Sequence, residues 1–436
     1  MKKIIVAGAG HGGLTAAYHL ARAGYDVTVY EKKQRDELGY DWHDYMDMTG
    51  FDGSDIPRPD ESMYCLGARQ AFRNPKGNIK IEVAYKEDAR VIDRKVLYRY
   101  LLSLADEADV KFVFGAEISG VLFDNRRIKG ISVINGGKSE NITGDLVIDA
   151  AGMYSPVRKS LPAFCDIQKD IADKDIFHVY RAYFKNSEPV HIEPSYVMDL
   201  FHMNRPGLGW TIFEEDYTDI LIGKFGAAGK LTQQEIDAAL ESYRKDYPFI
   251  TDEIVRGGGC VRDIPIGKML PMIVADGYAA VGDSAAMTVP LNGSGINLSM
   301  NAGKILAQTI IADGGKTDKK TLWKYQRSYF LTLAKDYVLV AKLKDFFTFV
   351  DGSLVDYFLE ENILSAELLA CGNGDINIPT KQIFYIISKA APLLKLTPAI
   401  VKNFKSLVNL PAAINKMPEE YDEEKVSAWV ENYKKI

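Results

Sequence analysis

Six residues near the start of the chain, Gly8-Ala9-Gly10-His11-Gly12-Gly13, have the spacing G-x-G-x-x-G at Gly8, Gly10 and Gly13. That spacing carries chemistry when a strand precedes it, a helix follows, and an acid ends the next strand. All three conditions are met. Ile4-Ile5-Val6-Ala7 reads as a buried strand, residues 14–23 as a helix closed by Gly24, and Asp26-Val27-Thr28-Val29-Tyr30 as a strand ending in Glu31. Gly8 allows the tight turn, Gly10 lets backbone approach a pyrophosphate, and Gly13 lets the helix pack on the strand. The helix N-terminus stabilises phosphate charge. Glu31 is placed to accept hydrogen bonds from ribose hydroxyls. The pattern predicts a dinucleotide site, for NAD or for FAD.

Two further segments bear on that choice. Gly277-Tyr278-Ala279-Ala280-Val281-Gly282-Asp283-Ser284-Ala285 brings Asp283 to the carboxyl end of a strand, where open α/β sheets bind ligands. Pro290-Leu291-Asn292-Gly293-Ser294-Gly295-Ile296-Asn297 then opens a helix whose first N–H groups are free. The third segment is Asp149-Ala150-Ala151-Gly152-Met153-Tyr154-Ser155-Pro156-Val157-Arg158.

Taken together, residues 4–33, 145–158 and 277–303 resemble the FAD-dependent oxidoreductases that include geranylgeranyl reductases and para-hydroxybenzoate-hydroxylase-like monooxygenases. The resemblance spans roughly the first 310 residues. It implies FAD as cofactor, with Asp283 at the flavin ribityl or ribose region. It also implies that the loop with Gly293 and Gly295 lies against the isoalloxazine ring, and that Arg94, in Val91-Ile92-Asp93-Arg94, contacts the cofactor. The substrate would lie between the flavin face and an antiparallel sheet. Aromatic hydroxylases usually carry Asp where Ala151 stands, which weighs against hydroxylation. No second G-x-G-x-x-G follows a strand, so a separate nicotinamide domain is not expected.

The resemblance directs attention to two runs on the substrate side. Gly209-Trp210-Thr211-Ile212-Phe213 stands where geranylgeranyl reductases carry an aromatic motif ending in Phe-Pro, with Glu214 in place of Pro. Trp210 and Phe213 are the candidate substrate contacts, although a half-buried core strand has the same pattern. Strand alternation puts Trp210 and Ile212 on one face, Thr211 and Phe213 on the other. In Asp41-Trp42-His43-Asp44, His43 flanked by carboxylates is the candidate proton donor, held near neutral pKa. The same run also reads as a polar surface loop. Cys65 and His202 are weaker candidates.

The elements that must position these residues form an α/β chain of 436 residues, enough for two or three packed units. A Rossmann-like FAD-binding domain is expected over residues 1–170 and 266–315. An antiparallel sheet, the substrate domain, is expected over 171–265 and a helical region over 316–436. Residues 34–90 read as irregular, 93–108 as a helix. Strands are expected over 178–184, 196–201, 210–214 and 220–225, and helices over 233–245, 295–312, 319–349, 354–369 and 380–394.

Composition narrows the function classes. With 53 basic and 59 acidic residues, net −6, the chain lacks the basic excess of a nucleic-acid binder. Cys65, Cys165, Cys260 and Cys371 stand apart and the six His do not join them, so neither a metal site nor a disulfide framework is expected. No run of 18 apolar residues occurs and the first residues do not read as a secretory signal, so a cytoplasmic location is expected. One stretch reverses the average charge. Residues 376–418 contain no Asp or Glu but hold Lys381, Lys389, Lys395, Lys402, Lys405 and Lys416. Such a basic, apolar stretch suits peripheral contact with an anionic membrane. It equally suits a helical cap whose lysine stems lie along apolar surface.

The expected function is FAD-dependent reduction of a C=C bond in a hydrophobic, isoprenoid-like substrate, by hydride transfer from flavin N5, with an external electron donor. The alternatives are a flavin-dependent monooxygenase acting on a small aromatic or lipid-like substrate, and a non-catalytic flavin-binding scaffold. The Trp-x-Trp-x-Ile signature of related halogenases is absent.

Overall fold

The computed structural model describes residues 2–83, 89–348, 350–366 and 416–435, with positions 369 and 389 between. Its first layer is a six-stranded sheet. The order is Val274–Ala275, Tyr278–Ala280, Leu146–Asp149, Lys3–Ala7, Asp26–Glu31, Lys111–Phe114. Lys3–Ala7 pairs in parallel on both sides, with Ile5 opposite Val147 and Thr28. Ile4, Ile5, Val6 and Ala7 have no solvent exposure, as expected for a parallel strand covered on both faces.

Helix His11–Arg22 leaves the first strand and crosses helix Ile296–Ala312. The crossing is set by small residues. A Cβ on Gly303 would stand 2.3 Å from the Gly12 carbonyl oxygen. This contact locks the glycine-rich turn to the helix that begins at Ile296, although nearly three hundred residues separate them.

The second layer is an eight-stranded sheet. Ile250–Ile254, Ile176–Asn186, Tyr217–Phe225, Leu208–Phe213, Tyr196–Leu200, Gln70–Arg73 and Lys80–Val83 lie in that order, and Cys260–Pro265 also pairs with Ile176–Asn186. Its central strands match the expected ones closely. Two of its strands, Gln70–Arg73 and Lys80–Val83, come from the region that reads as irregular. That region also forms a small sheet of His43–Asp47, Ala89–Asp93 and Tyr64–Leu66. These strands are three to five residues long, too short to show a period, and Gln70–Arg73 joins the sheet through a remote partner: Gln70 aligns in parallel with Tyr196.

Helix Gln233–Asp246 covers one face of the large sheet, where Tyr180, Ala182, Phe184, Ile220 and Ile222 are buried. The other face carries Phe177, Val179, Tyr196, Met198, Leu208, Ile212 and Leu221, and packs with helix Gly352–Glu360.

The helix expected over 319–349 is interrupted. Lys319–Tyr329 passes through a π-helical turn, Phe330–Ala334, into Lys335–Phe347. The helix expected over 380–394 and the basic stretch 376–418 lie outside the described residues, apart from Lys389 and residues 416–418. A C-terminal helix, Glu423–Lys435, returns to the first layer. Its Trp429 ring meets Trp323 at 6.0 Å and Phe330 at 5.4 Å, both edge-on. Trp429→Ala is expected to cost about 3–5 kcal/mol, seen as a lower urea midpoint. An unchanged midpoint would show that this helix adds nothing to stability.

Candidate functional site

The glycine-rich turn lies between the carboxyl end of Lys3–Ala7 and the start of helix His11–Arg22. Gly8 has φ +92°, and a Cβ there would stand 2.7 Å from the Ala150 carbonyl oxygen. Gly10 and Gly13 also abut Ala150, so side chains at these positions would fill the cradle. Glu31 is buried at the end of its strand. Its Oε2 accepts from the Ala9 N–H at 2.9 Å and its Oε1 from the Lys33 N–H at 2.9 Å. Each oxygen keeps a further lone pair for a ribose hydroxyl.

His11, inside the turn, meets the Tyr98 ring at 4.6 Å, tilted by 42°. Burial, reinforced by Arg94, pushes its pKa down to about 3, so its ring is neutral at pH 7. Its Nε2 is buried without a hydrogen-bond partner among the described residues. Asp283 lies on the other side. Burial raises its carboxyl pKa, and Arg94 is the charge that opposes the rise. A Cβ on Gly295 would stand 3.6 Å from Asp283 Oδ1. Arg94 is therefore a charge felt by both His11 and Asp283, and Gly295 abuts Asp283 in turn. Gly293, at φ +75°, packs on Ile264 of the large sheet. The glycine cradle, the neutral orphan His11 nitrogen and the cationic Arg94 fit a diphosphate-bearing dinucleotide.

The turn that carries Asp283 is held from beneath by a buried carboxylate. Asp149 Oδ2 accepts from Ser155 Oγ at 2.6 Å and Tyr278 OH at 3.0 Å. Its Oδ1 accepts from Ser284 Oγ at 3.0 Å and the Ala151 N–H at 3.1 Å. Arg158, also buried, donates to the Ser284 carbonyl oxygen at 2.6 Å. Both residues lie within the quoted sequence motif, yet their holding role depends on partners more than a hundred positions away.

Arg94 is not free to serve the cofactor alone. Its Nε and Nη2 donate to Asp44 at 2.5 and 2.8 Å, leaving Nη1 uncommitted in this pair. Asp44 also lies 3.8 Å from Arg181 Nη1. Burial alone would raise the Asp44 pKa, but Arg94 and Arg181 more than reverse it, so Asp44 is held below the usual carboxylate range. Arg181 comes from the large sheet. It donates to Asp219 at 3.0 and 2.6 Å and to the His43 carbonyl oxygen at 2.8 Å. The rings of Trp42, Tyr183 and Trp210 surround its guanidinium at 5.2–5.3 Å. Sequence reasoning missed Asp44 and Arg181. The run Asp41-Trp42-His43-Asp44 was a visible signal, but its basic partners are far away in sequence.

His43 is buried rather than on a surface loop, 5% exposed. Desolvation lowers its pKa, and Arg181 and Arg256 lower it further against the opposing pull of Asp219. Against the expectation of a pKa held near neutral, burial moves the group in the direction that favours its uncharged form. Its Nε2 is buried, 3.8 Å from Asp219, with no hydrogen-bond partner among the described residues.

Trp210 is half-buried on the cleft face of the large sheet, 5.9 Å from the Tyr196 ring, which meets Tyr45 at 4.9 Å. Leu291, from the loop before Gly293, packs into the same apolar cluster. Phe213 does not join it. Strand alternation turns it to the opposite face, where it meets Tyr247 at 4.7 Å and Phe249 at 6.1 Å. The expectation that Phe213 contacts substrate is therefore corrected. His202 is likewise remote from the cleft, stacked on Tyr243 at 4.4 Å.

Residues 3–153 match the family model described as FAD dependent oxidoreductase. The protein is an FAD-dependent oxidoreductase, similar in type to the geranylgeranyl reductases. The oxidoreductase is 26% identical to digeranylgeranylglycerophospholipid reductase 2 of Methanococcoides burtonii, over 88% of this chain and 91% of that one. It is 21% identical to digeranylgeranylglycerophospholipid reductase of Sulfolobus acidocaldarius, over 86% and 84%. Its fold matches a geranylgeranyl bacteriochlorophyll reductase-like protein of Thermoplasma acidophilum with TM-score 0.74 and 19% identity, covering 93% and 99% of the two chains. A flavin-dependent brominase variant has the same fold at TM-score 0.65 and 14% identity, covering 90% and 100%. Among the described residues of the oxidoreductase, no helix is long and apolar enough to cross a membrane.

Asp283→Ala in this oxidoreductase is expected to weaken FAD binding about tenfold or more, roughly 1.4 kcal/mol. The flavin-to-protein absorbance ratio after dialysis reads this out. A ratio equal to wild type would remove Asp283 from the cofactor site.

Proposed function

We propose that this oxidoreductase reduces a carbon–carbon double bond in a hydrophobic, isoprenoid-like substrate. The observation that carries the reading is the apolar cluster shared by Leu291 of the loop before Gly293 and by Tyr45, Tyr196, Met198 and Trp210. An alkene chain lying on that face would be close to a flavin held by the loop. The named activity of the two digeranylgeranylglycerophospholipid reductases supports the same substrate class. Ala151, where aromatic hydroxylases usually have Asp, weighs against oxygen insertion.

In this reading Gly8, Gly10 and Gly13 admit the diphosphate, Glu31 takes the ribose, Arg94 adds positive charge, and Asp283, Gly293 and Gly295 border the flavin end. The flavin-binding part is discontinuous, over residues 1–170 and 266–315, and the large sheet closes the substrate side. When bound and reduced by an external donor, FAD would supply the hydride from N5. Trp210 and Tyr196 exclude water and orient the chain. His43 presents a buried ring nitrogen, Nε2, at the polar end of the same face, 3.8 Å from Asp219.

Anaerobic mixing of reduced enzyme with a polyprenyl alkene is expected to reoxidise the flavin, with a saturated bond in the product. No reoxidation across polyprenyl and other apolar alkenes would refute the reading. Formation of a hydroxylated product only with oxygen would favour the monooxygenase alternative. Tight FAD with neither activity would favour a flavin-binding scaffold. Trp210→Ala is expected to raise KM about tenfold, roughly 1.4 kcal/mol, at unchanged flavin content. His43→Ala is expected to keep FAD and slow reoxidation; a wild-type rate would leave His43 a packing residue.

A further inference from the structure

A cavity of about 580 Å³ opens beside Ala286, just beyond the turn that carries Asp283. Its walls come from the segment around 168–175, from residues 267–271, from helix Lys335–Phe347 and from the end of the C-terminal helix. None of the glycine turn, Glu31, Arg94, Gly293 or Gly295 lines it. It is therefore separate from the flavin cradle.

The charge in this cavity is unbalanced. Lys174, Lys268, Lys342, Lys434 and Lys435 line it, against Asp175 and Asp345. Both carboxylates are already engaged by a sixth lysine. The side chain of Lys344 is 1% exposed, and its Nζ lies 2.8 Å from Asp175 and 3.3 Å from Asp345. Lys342 reaches Asp345 only at 3.9 Å, and Lys434 pairs with Glu431 at 3.0 Å. Lys268 has no carboxylate within salt-bridge reach among the described residues. Its Nζ donates to the Tyr433 carbonyl oxygen and sits 4.5 Å above the Tyr433 ring. Burial, and then repulsion from Lys342, pushes the Lys268 pKa down to about 8. Burial also lowers that of Lys342, with Lys174 and Lys344 contributing.

Lysines gathered from four separate segments, with their carboxylates committed elsewhere, form an environment that an anion would relieve. Phosphate suits it better than carboxylate, because three oxygens carrying up to two charges can meet ammonium groups arriving from different directions. The cavity is within the size range of small-molecule sites. Met269, Leu270, Val338 and Ala341 give it an apolar wall. We propose that this cavity is a second ligand site, for a phosphate-bearing molecule with an apolar body. Bound there, the ligand joins Lys268 and Lys342 to the C-terminal helix and ties that helix to the flavin half of the molecule.

The test is calorimetric titration of the FAD-loaded enzyme with three probes: inorganic pyrophosphate, geranyl diphosphate, and dihexanoyl phosphatidic acid below its micelle concentration. One saturable site is expected, tighter for geranyl diphosphate or phosphatidic acid than for pyrophosphate, with a higher Tm in the presence of ligand. Preference for phosphatidic acid would identify a lipid headgroup as the source of the phosphate, and preference for geranyl diphosphate a free prenyl phosphate. Lys268→Gln and Lys342→Gln remove mutual repulsion and should fold with unchanged FAD content. Each is expected to weaken binding at least about tenfold. No saturable binding, or equal affinity in both variants and wild type, would overturn the site. Pyrophosphate binding as tightly as the other two would overturn the apolar part of the proposal. Displacement of FAD by the probes would show that they bind the flavin cradle instead.

Discussion

A half-buried carboxylate, Asp44, links the two layers of this molecule. Arg94 approaches it from the first turn of helix Arg94–Glu107, and Arg181 from the middle of the large sheet. Burying one charge is costly, and removing a partner from such a group leaves it uncompensated. Asp44 is therefore tied to both guanidinium groups, and Arg181 is tied in turn to Asp219. The strand His43–Asp47 is pinned between them. The same strand supplies Tyr45 to the apolar cluster, and the Asp47 carbonyl oxygen accepts from Asn297 Nδ2 at 2.8 Å, at the start of the helix that follows the glycine loop. Fixing this strand fixes the distance between the helix that starts at Ile296 and the apolar face of the large sheet.

The contrast between the two ends of that face follows from the same arrangement. At one end Arg181, Asp219, His43 and Tyr183 form a polar plug that water does not reach. At the other end Tyr196, Met198, Leu200 and Phe72 present apolar surface, closed by helix Gly352–Glu360. Trp210 stands at the boundary, one side against Tyr196 and the other against the Arg181 guanidinium. Trp210 thus separates the apolar end of this face from its polar end.

Much of the cofactor half was legible because its determinants are local. The turn from Gly8 to Gly13, Glu31 at the end of the next strand and Asp283 at the end of a later one each declare themselves within a few residues. Strand alternation places Trp210 and Phe213 on opposite faces, as in the structure, although residue type alone makes both candidate substrate contacts. What the sequence concealed depends on distance along the chain. Asp149 gains its meaning from Tyr278 and Ser284, and Asp44 from Arg94 and Arg181. The strands Gln70–Arg73 and Lys80–Val83 are stabilised by a sheet formed mainly from residues beyond 175, so no local period marks them. His43 is visible as a titratable group, but the burial that lowers its pKa, and the Arg181 and Arg256 charges that add to it, are not.

The most direct test of the Asp44 link is a double-mutant cycle read by FAD affinity. Arg181 belongs to the sheet and reaches the first layer through Asp44 and through the His43 carbonyl oxygen; the cycle isolates the Asp44 route. Arg181→Lys is expected to weaken FAD binding in the wild-type background and to have little further effect once Asp44→Asn is present, a coupling of about 1 kcal/mol or more. Equal weakening by Arg181→Lys in both backgrounds would contradict the idea that Asp44 carries the connection.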